Sequence, residues 1–210
     1  MSGVTVVTLY DTLGKDSLEY ILDQTYIKTC VLSADKLKNL VELKKEGKIP
    51  LLTHVIYFDE VKPADVEAAQ QNGLTLVSYA TVLEKGAALE TKPEFDEVHY
   101  DTFYTFSYTS GTTGMPKGVM LTHRNFVANV GGMEGFDGEF TIRDDDVYIS
   151  YLPLAHVFER VLLMCAMGYK MQYGFFGGDV LKLKEDLAVL RPTIMASVPR
   201  LYNRFYDVMQ

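Results

Sequence analysis

Apolar positions along the chain keep two rhythms. Residues 4–9 (V-T-V-V-T-L) are short and β-branched, which predicts a strand. After a turn at 11–14, Leu18, Ile21, Leu22 and Tyr26 recur at helical spacing behind a cap at Asp16 or Ser17. Residues 27–32 predict a second strand. Ser33 then caps a helix with Leu37, Leu40, Val41 and Leu43 inward and lysines outward, closing near Gly47 and Pro50. Residues 51–58 predict a third strand. Pro63 opens a helix through Ala69 that ends at Asn72-Gly73. A short strand at 74–77 and a short helix at 79–84 follow.

This alternation with short joints predicts an α/β fold, a largely parallel sheet flanked by helices. Crossovers in such sheets are right-handed, and ligands bind at the carboxyl ends of the strands. Residues 86–101 break the rhythm. They carry Glu90, Glu94, Asp96, Glu97 and Asp101 and read as an exposed acidic connection between a first half, 1–85, and a second half, 102–210. In the second half a strand at 102–108 runs into a glycine-rich loop, and residues 119–121 can return as the other arm of a hairpin. Thr122 caps a helix at 124–130, closed by Gly131-Gly132. Residues 137–146 form another acidic stretch. The remaining elements are strands at 147–152, 171–176 and 192–198, and helices at 157–167 and 180–190, the latter capped by Asp179. Pro199 opens a last helix that runs uncapped to Gln210, the pattern expected of part of a longer polypeptide.

Composition narrows the function classes. With 210 residues, 48% hydrophobic, the chain can bury a core of one domain or a large part of one. A net charge of -8 argues against non-specific nucleic-acid binding. Cys30 and Cys165 are far apart in apolar patterns and read as buried thiols of a reducing compartment. His54, His99, His123 and His156 are too scattered for a metal site. Asp144, Asp145 and Asp146 read as a solvated loop more readily than as a calcium site, since no glycine turn supports them. No leader with a basic region is visible, and the apolar run at 161–167 is far short of a membrane span.

Chemistry concentrates in residues 108–118, Y-T-S-G-T-T-G-M-P-K-G. Glycines let the main chain turn where a Cβ would clash, and turned-in backbone N–H groups make a concavity suited to anions. Ser110, Thr112 and Thr113 add hydroxyl donors and Lys117 adds positive charge, so polyphosphate is the natural guest. The spacing is not that of a P-loop, because Gly111 and Gly114 are three apart and Gly118 follows Lys117. A plain surface turn is the competing reading. His156 sits where a strand ends and an apolar helix starts. A lone histidine there is more often a core residue, but the strand's carboxyl end favours a site.

The run at 108–118 matches the phosphate-binding signature of the adenylate-forming superfamily. L-Y-D-T-L-G at 9–14, the run at 108–123, Y-L-P-L-A-H-V-F-E-R at 151–160 and P-T-I-M-A-S-V-P-R-L-Y-N-R at 192–204 together resemble the long-chain fatty acyl-CoA synthetases, as do G-G-D at 177–179 and E-D-L at 185–187. The resemblance implies part of the large N-terminal domain of an adenylate-forming enzyme and a two-step ligase reaction with ATP, Mg2+, CoA and a long-chain fatty acid. It implies that Thr109, Ser110, Gly111, Thr112, Thr113, Gly114 and Lys117 hold the ATP phosphates and that His156 lines the acyl-adenylate pocket. Arg160 falls near an acyl-tunnel gate of bacterial relatives. The family's catalytic motifs and small C-terminal domain would lie beyond Gln210, so no catalytic residue is placed here, and these residues alone are expected to be inactive as a ligase. The resemblance also implies an intracellular protein, in the cytoplasm or on the cytosolic face of an organelle membrane, with peripheral membrane association of the whole enzyme. The alternative is a non-catalytic nucleotide- or acyl-binding module.

Overall fold

The computed structural model describes residues 3–11, 13–91, 93–95, 97–109, 115–133 and 141–209. The first part of the chain alternates β1 (Val6–Thr8), α1 (Lys15–Gln24), β2 (Thr29–Leu32), α2 (Leu37–Lys45), β3 (His54–Tyr57), α3 (Pro63–Gln71), β4 (Thr75–Ser78) and α4 (Tyr79–Ala87). The second part holds β5 (Phe103–Thr109), β6 (Lys117–Thr122), α5 (His123–Met133), β7 (Val147–Ser150), α6 (Val157–Gly168), β8 (Gln172–Phe175), α7 (Leu183–Leu190) and α8 (Pro199–Met209). Each strand lies within or next to a stretch whose β-branched or aromatic content predicted one.

Among the described residues the strands form three hydrogen-bonded groups. β2, β3 and β4 pair in parallel, with Val55 between Cys30 and Leu76. β7 and β8 pair in parallel. β1 joins β5, in parallel, with Val6 opposite Thr105 and Thr8 opposite Ser107, and β5 turns back antiparallel into β6. All the pairings are parallel except that of the hairpin.

The main core lies between β2–β4 and the helices packed on them. Leu37, Leu40 and Leu43 of α2, Ile49, Leu52, Val55, Ala69 and Leu74 are buried together with Leu22 and Cys30. Each fully buried aliphatic side chain contributes about 1.5–3 kcal/mol. Burial also pushes the Cys30 thiol up to about 11, as expected of an inert buried cysteine. A smaller core joins Ile149, Tyr151 and Leu183.

Local details depart from expectation where backbone geometry overrode propensity. α1 begins at Lys15 behind Gly14 as its N-cap, with no side-chain cap from Asp16 or Ser17. Tyr26, expected inward, is 71% exposed, because the chain leaves α1 through a left-handed residue there (φ 53°) and swings toward β2. Ser33 bonds Asp35 and leads into a 3₁₀ turn, not directly into α2. Gly131 and Gly132 do not end α5, which runs to Met133. Residues 192–198 form no strand. Only Ile194 bridges, to Tyr148, because Pro192 has no N–H and the Thr193 side chain takes ladder positions, accepting from Val147 N and donating to Asp146. That bond, with one from Arg143 N, holds the Asp146 carboxyl below its usual range and commits it to the loop.

The expected caps at Thr122 and Asp179 form. Thr122 Oγ1 accepts from Asn125 N, while Asn125 Oδ1 accepts from Thr122 N, a reciprocal pair like a capping box. Asp179 Oδ1 accepts from Leu181 N, although the helix there opens with a 3₁₀ turn.

Candidate functional site: three strand ends and a hairpin mouth

The glycine-rich run closes the β5–β6 hairpin. Thr109 pairs with Lys117 in the last rung, so residues 110–116 span the mouth. Ser110, Gly111, Thr112, Thr113 and Gly114 lie outside the described residues. Thr109 and Lys117 are exposed. Directly opposed residues of an antiparallel pair share a face, so a hydroxyl and an ammonium stand side by side at the loop's base. Lys117 makes no ion pair with a described residue. Each arm of the hairpin thus places one donor at the mouth, the Thr109 hydroxyl and the Lys117 ammonium.

Because β1 runs parallel to β5, the two leave the sheet at the same end. The chain after β1 carries Tyr10 there, and the chain after β7 carries His156. The two rings meet edge to face, with centroids 6.5 Å apart. His156 is also the N-cap of α6. Its Nδ1 accepts the N–H of Phe158 at 3.1 Å, so a neutral ring carries its proton on Nε2, free to donate. The competing reading of this residue as a buried core histidine fails, since its side chain is exposed.

Arg160, one turn further along α6, donates through Nε to Leu154 O at 2.9 Å, and its guanidinium lies 5.8 Å from the centre of the Tyr104 ring. Tyr104 also touches His123 and Phe126 of α5. Burial raises the Tyr10 phenol and the nearby Arg160 charge partly lowers it, so both belong to one electrostatic neighbourhood. Tyr10, His156 and Arg160 thus bring a phenol, an imidazole and a guanidinium into one neighbourhood.

The first turn of α6 is fixed from below. Glu159 is 0% exposed and accepts three hydroxyls: Tyr148 at 2.7 Å, Ser150 at 2.6 Å and Tyr173 at 2.7 Å. Burial first, and the Glu159 bond second, push the Tyr148 phenol well up; burial takes Tyr173 to about 12. Sequence reading missed Glu159 and Tyr10. The signal for Glu159 was a lone acid among Val157, Phe158 and Val161; for Tyr10 it was its place directly after a strand.

Solved adenylation domains share this α/β fold. The A domain of carboxylic acid reductase from Segniliparus rugosus, solved with AMP and a co-purified carboxylic acid, superposes with a TM-score of 0.76 at 24% identity, over 97% of this chain and 34% of that one. ATP-bound MatB from Rhodopseudomonas palustris gives 0.66 at 21% identity, over 95% and 35%. In sequence, peroxisomal long chain acyl-CoA synthetase 7 of Arabidopsis thaliana is 42% identical over 96% of this chain and 28% of its own length. Human long-chain-fatty-acid–CoA ligase 1 is 35% identical over 98% and 29%. The model of the AMP-binding enzyme family matches residues 1–210, and the chain belongs to that family. It spans about 28% of the length of the curated relatives it matches.

Proposed function

We propose that this chain is the phosphate-gripping and acyl-facing part of a long-chain fatty acid–CoA ligase. The observation that carries the reading is the Thr109–Lys117 rung, which pairs the residues flanking the signature glycines beside strand ends that bring His156 to Tyr10. In the first step a fatty carboxylate oxygen attacks the α-phosphorus of ATP; the bond to the β-phosphate bridge breaks and pyrophosphate leaves. In the second, the CoA thiol attacks the acyl carbon and AMP departs. Thr109, Ser110, Gly111, Thr112, Thr113, Gly114 and Lys117 hold the departing pyrophosphate. Prepositioned donors of this kind act most where charge develops, and loss of one costs about 2.7–4 kcal/mol elsewhere.

His156 Nε2 is placed to donate to an oxygen of the acyl-adenylate, with Tyr10 against its ring. Mg2+ suits the phosphate oxygens that the loop holds; among the described residues no three acidic, His or Cys side chains gather to bind a metal by themselves. Among the described residues no helix is long and apolar enough to cross a membrane. We place the whole enzyme inside the cell, in the cytoplasm or peripherally on the cytosolic face of an organelle membrane.

The test is calorimetric titration of the 210-residue chain with MgATP. Binding should weaken about 10- to 100-fold in Lys117→Ala, the loss of one charge-assisted hydrogen bond. Equal binding by the variant removes the loop from the site. A chimera carrying this segment in Arabidopsis long chain acyl-CoA synthetase 7 should release pyrophosphate with a fatty acid, whereas the chain alone should not.

A further inference from the structure

Tyr108, the first residue of the signature run, stands one rung below the hairpin mouth, opposite Gly118. It is 4% exposed. Its ring covers the glycine: a Cβ at position 118 would lie 2.9 Å from Tyr108 Cζ and 3.2 Å from Cε1 and the hydroxyl oxygen. The hydroxyl donates to Gln24 Oε1 at 2.6 Å, and Gln24 Nε2 donates to the Tyr20 hydroxyl at 3.2 Å. Both Tyr20 and Gln24 belong to α1, the latter its last residue. Met115, where the loop returns, lines the same cleft as Tyr20.

Side chains alternate along a strand. Tyr108 and Gly118 therefore take the α1 side of the hairpin, and Thr109 and Lys117 take the other. A phenol committed to Gln24 and turned over Gly118 is not a ligand group. Burial keeps it protonated, as a donor must be, by raising its pKa.

We propose that Tyr108 and Gln24 are positioning residues: their hydrogen bond braces the hairpin mouth against α1 and so sets the Thr109–Lys117 pair for polyphosphate. The polyphosphate half of this inference rests on the ATP reading above. Gly118 belongs to the same brace. Its missing Cβ is the seat of the Tyr108 ring, not a point of close approach to phosphate.

The test uses the 210-residue chain as wild type, Tyr108→Phe, Gln24→Ala and the double variant. Hydrogen exchange of the stem, residues 103–109 and 117–122, is read alongside the MgATP dissociation constant and Tm. Each single variant should speed exchange and weaken MgATP about five-fold, the double should be no worse than either single, and Tm should move little. Unchanged stem exchange in Tyr108→Phe overturns the brace, and so do additive effects. Faster exchange with unchanged MgATP affinity overturns the positioning role. Should the wild type bind no MgATP, the ATP reading fails and takes the polyphosphate half with it, while the exchange arm still decides the brace.

Discussion

In the β5–β6 hairpin a polar mouth is held up by backbone: an antiparallel ladder from the Phe103–Thr122 rung to the Thr109–Lys117 rung, braced by Tyr108. In the β7–α6–β8 unit the polar groups are held by side chains: one buried carboxylate gathers hydroxyls from two strands and pins the helix turn that presents His156 and Arg160. The hairpin can lose a functional side chain and keep its frame, because the frame does not depend on it. The α6 turn cannot lose Glu159 on the same terms, because three buried or half-buried hydroxyls would lose their acceptor together. On the proposed reading, stability and function are thus separable at the hairpin and entangled at the helix.

The largest break in this contrast is Glu159→Ala. It should cost about 3–5 kcal/mol in urea unfolding, from stranded hydroxyls plus a cavity; a cost below about 1 kcal/mol would mean that water replaces the carboxylate and the contrast is false. Next comes Gly118→Ala. The new Cβ meets a ring that is buried and tethered, so about 1–3 kcal/mol should be lost, and Tyr108→Leu should rescue most of it by removing the atoms in the way. Absence of rescue would place the strain in the backbone instead.

A smaller effect is expected in alkali. An unfolded tyrosine loses its proton near pH 10, whereas Tyr173 holds its own to about 12 and Tyr148 is also raised. Stability from these two groups is full below pH 10 and falls as pH rises from there toward 12. Unfolding curves of Tyr148→Phe/Tyr173→Phe should be flatter across that window, and an equal slope would exclude them. The smallest stability effect belongs to Lys117→Ala, within about 0.5 kcal/mol by thermal unfolding, since the side chain is exposed. A larger cost would mean the mouth is as entangled as the helix.

Much of this was legible. Every strand predicted up to residue 176 formed at or near its place, and so did the hairpin return and the Thr122 cap, because each depends on residues within a few positions of one another; both cysteines are buried, as their apolar surroundings indicated. Pro192 spoiled the prediction for 192–198, since an apolar pattern cannot register a missing N–H and a competing threonine side chain. Tyr26 was misplaced because a left-handed residue after a helix changes the direction of the chain without changing its hydrophobic rhythm. Of the candidate site, Lys117 and His156 stood out in the motif and at a strand end and Thr109 through the resemblance; Tyr10 and Tyr108 meet partners far along the chain, and Glu159 meets hydroxyls of two neighbouring strands.

By itself the sequence determined the alternation of strands and helices, the placing of a glycine–hydroxyl loop at the end of a strand, and the start of α6 at His156. Those features follow from backbone conformations that neighbouring residues impose on one another. The tertiary structure alone decided that β1 pairs with β5, that Tyr10 reaches His156, that Gln24 meets Tyr108, and that a charged residue in an apolar helix is fully satisfied. These contacts join residues 84 or more apart, or depend on which face of a helix is covered; in the second case, Tyr148 and Tyr173 flank Glu159 only because β7 and β8 lie side by side beneath α6. Such pairings are set by packing across the whole chain, and no local pattern of apolar and polar residues contains them.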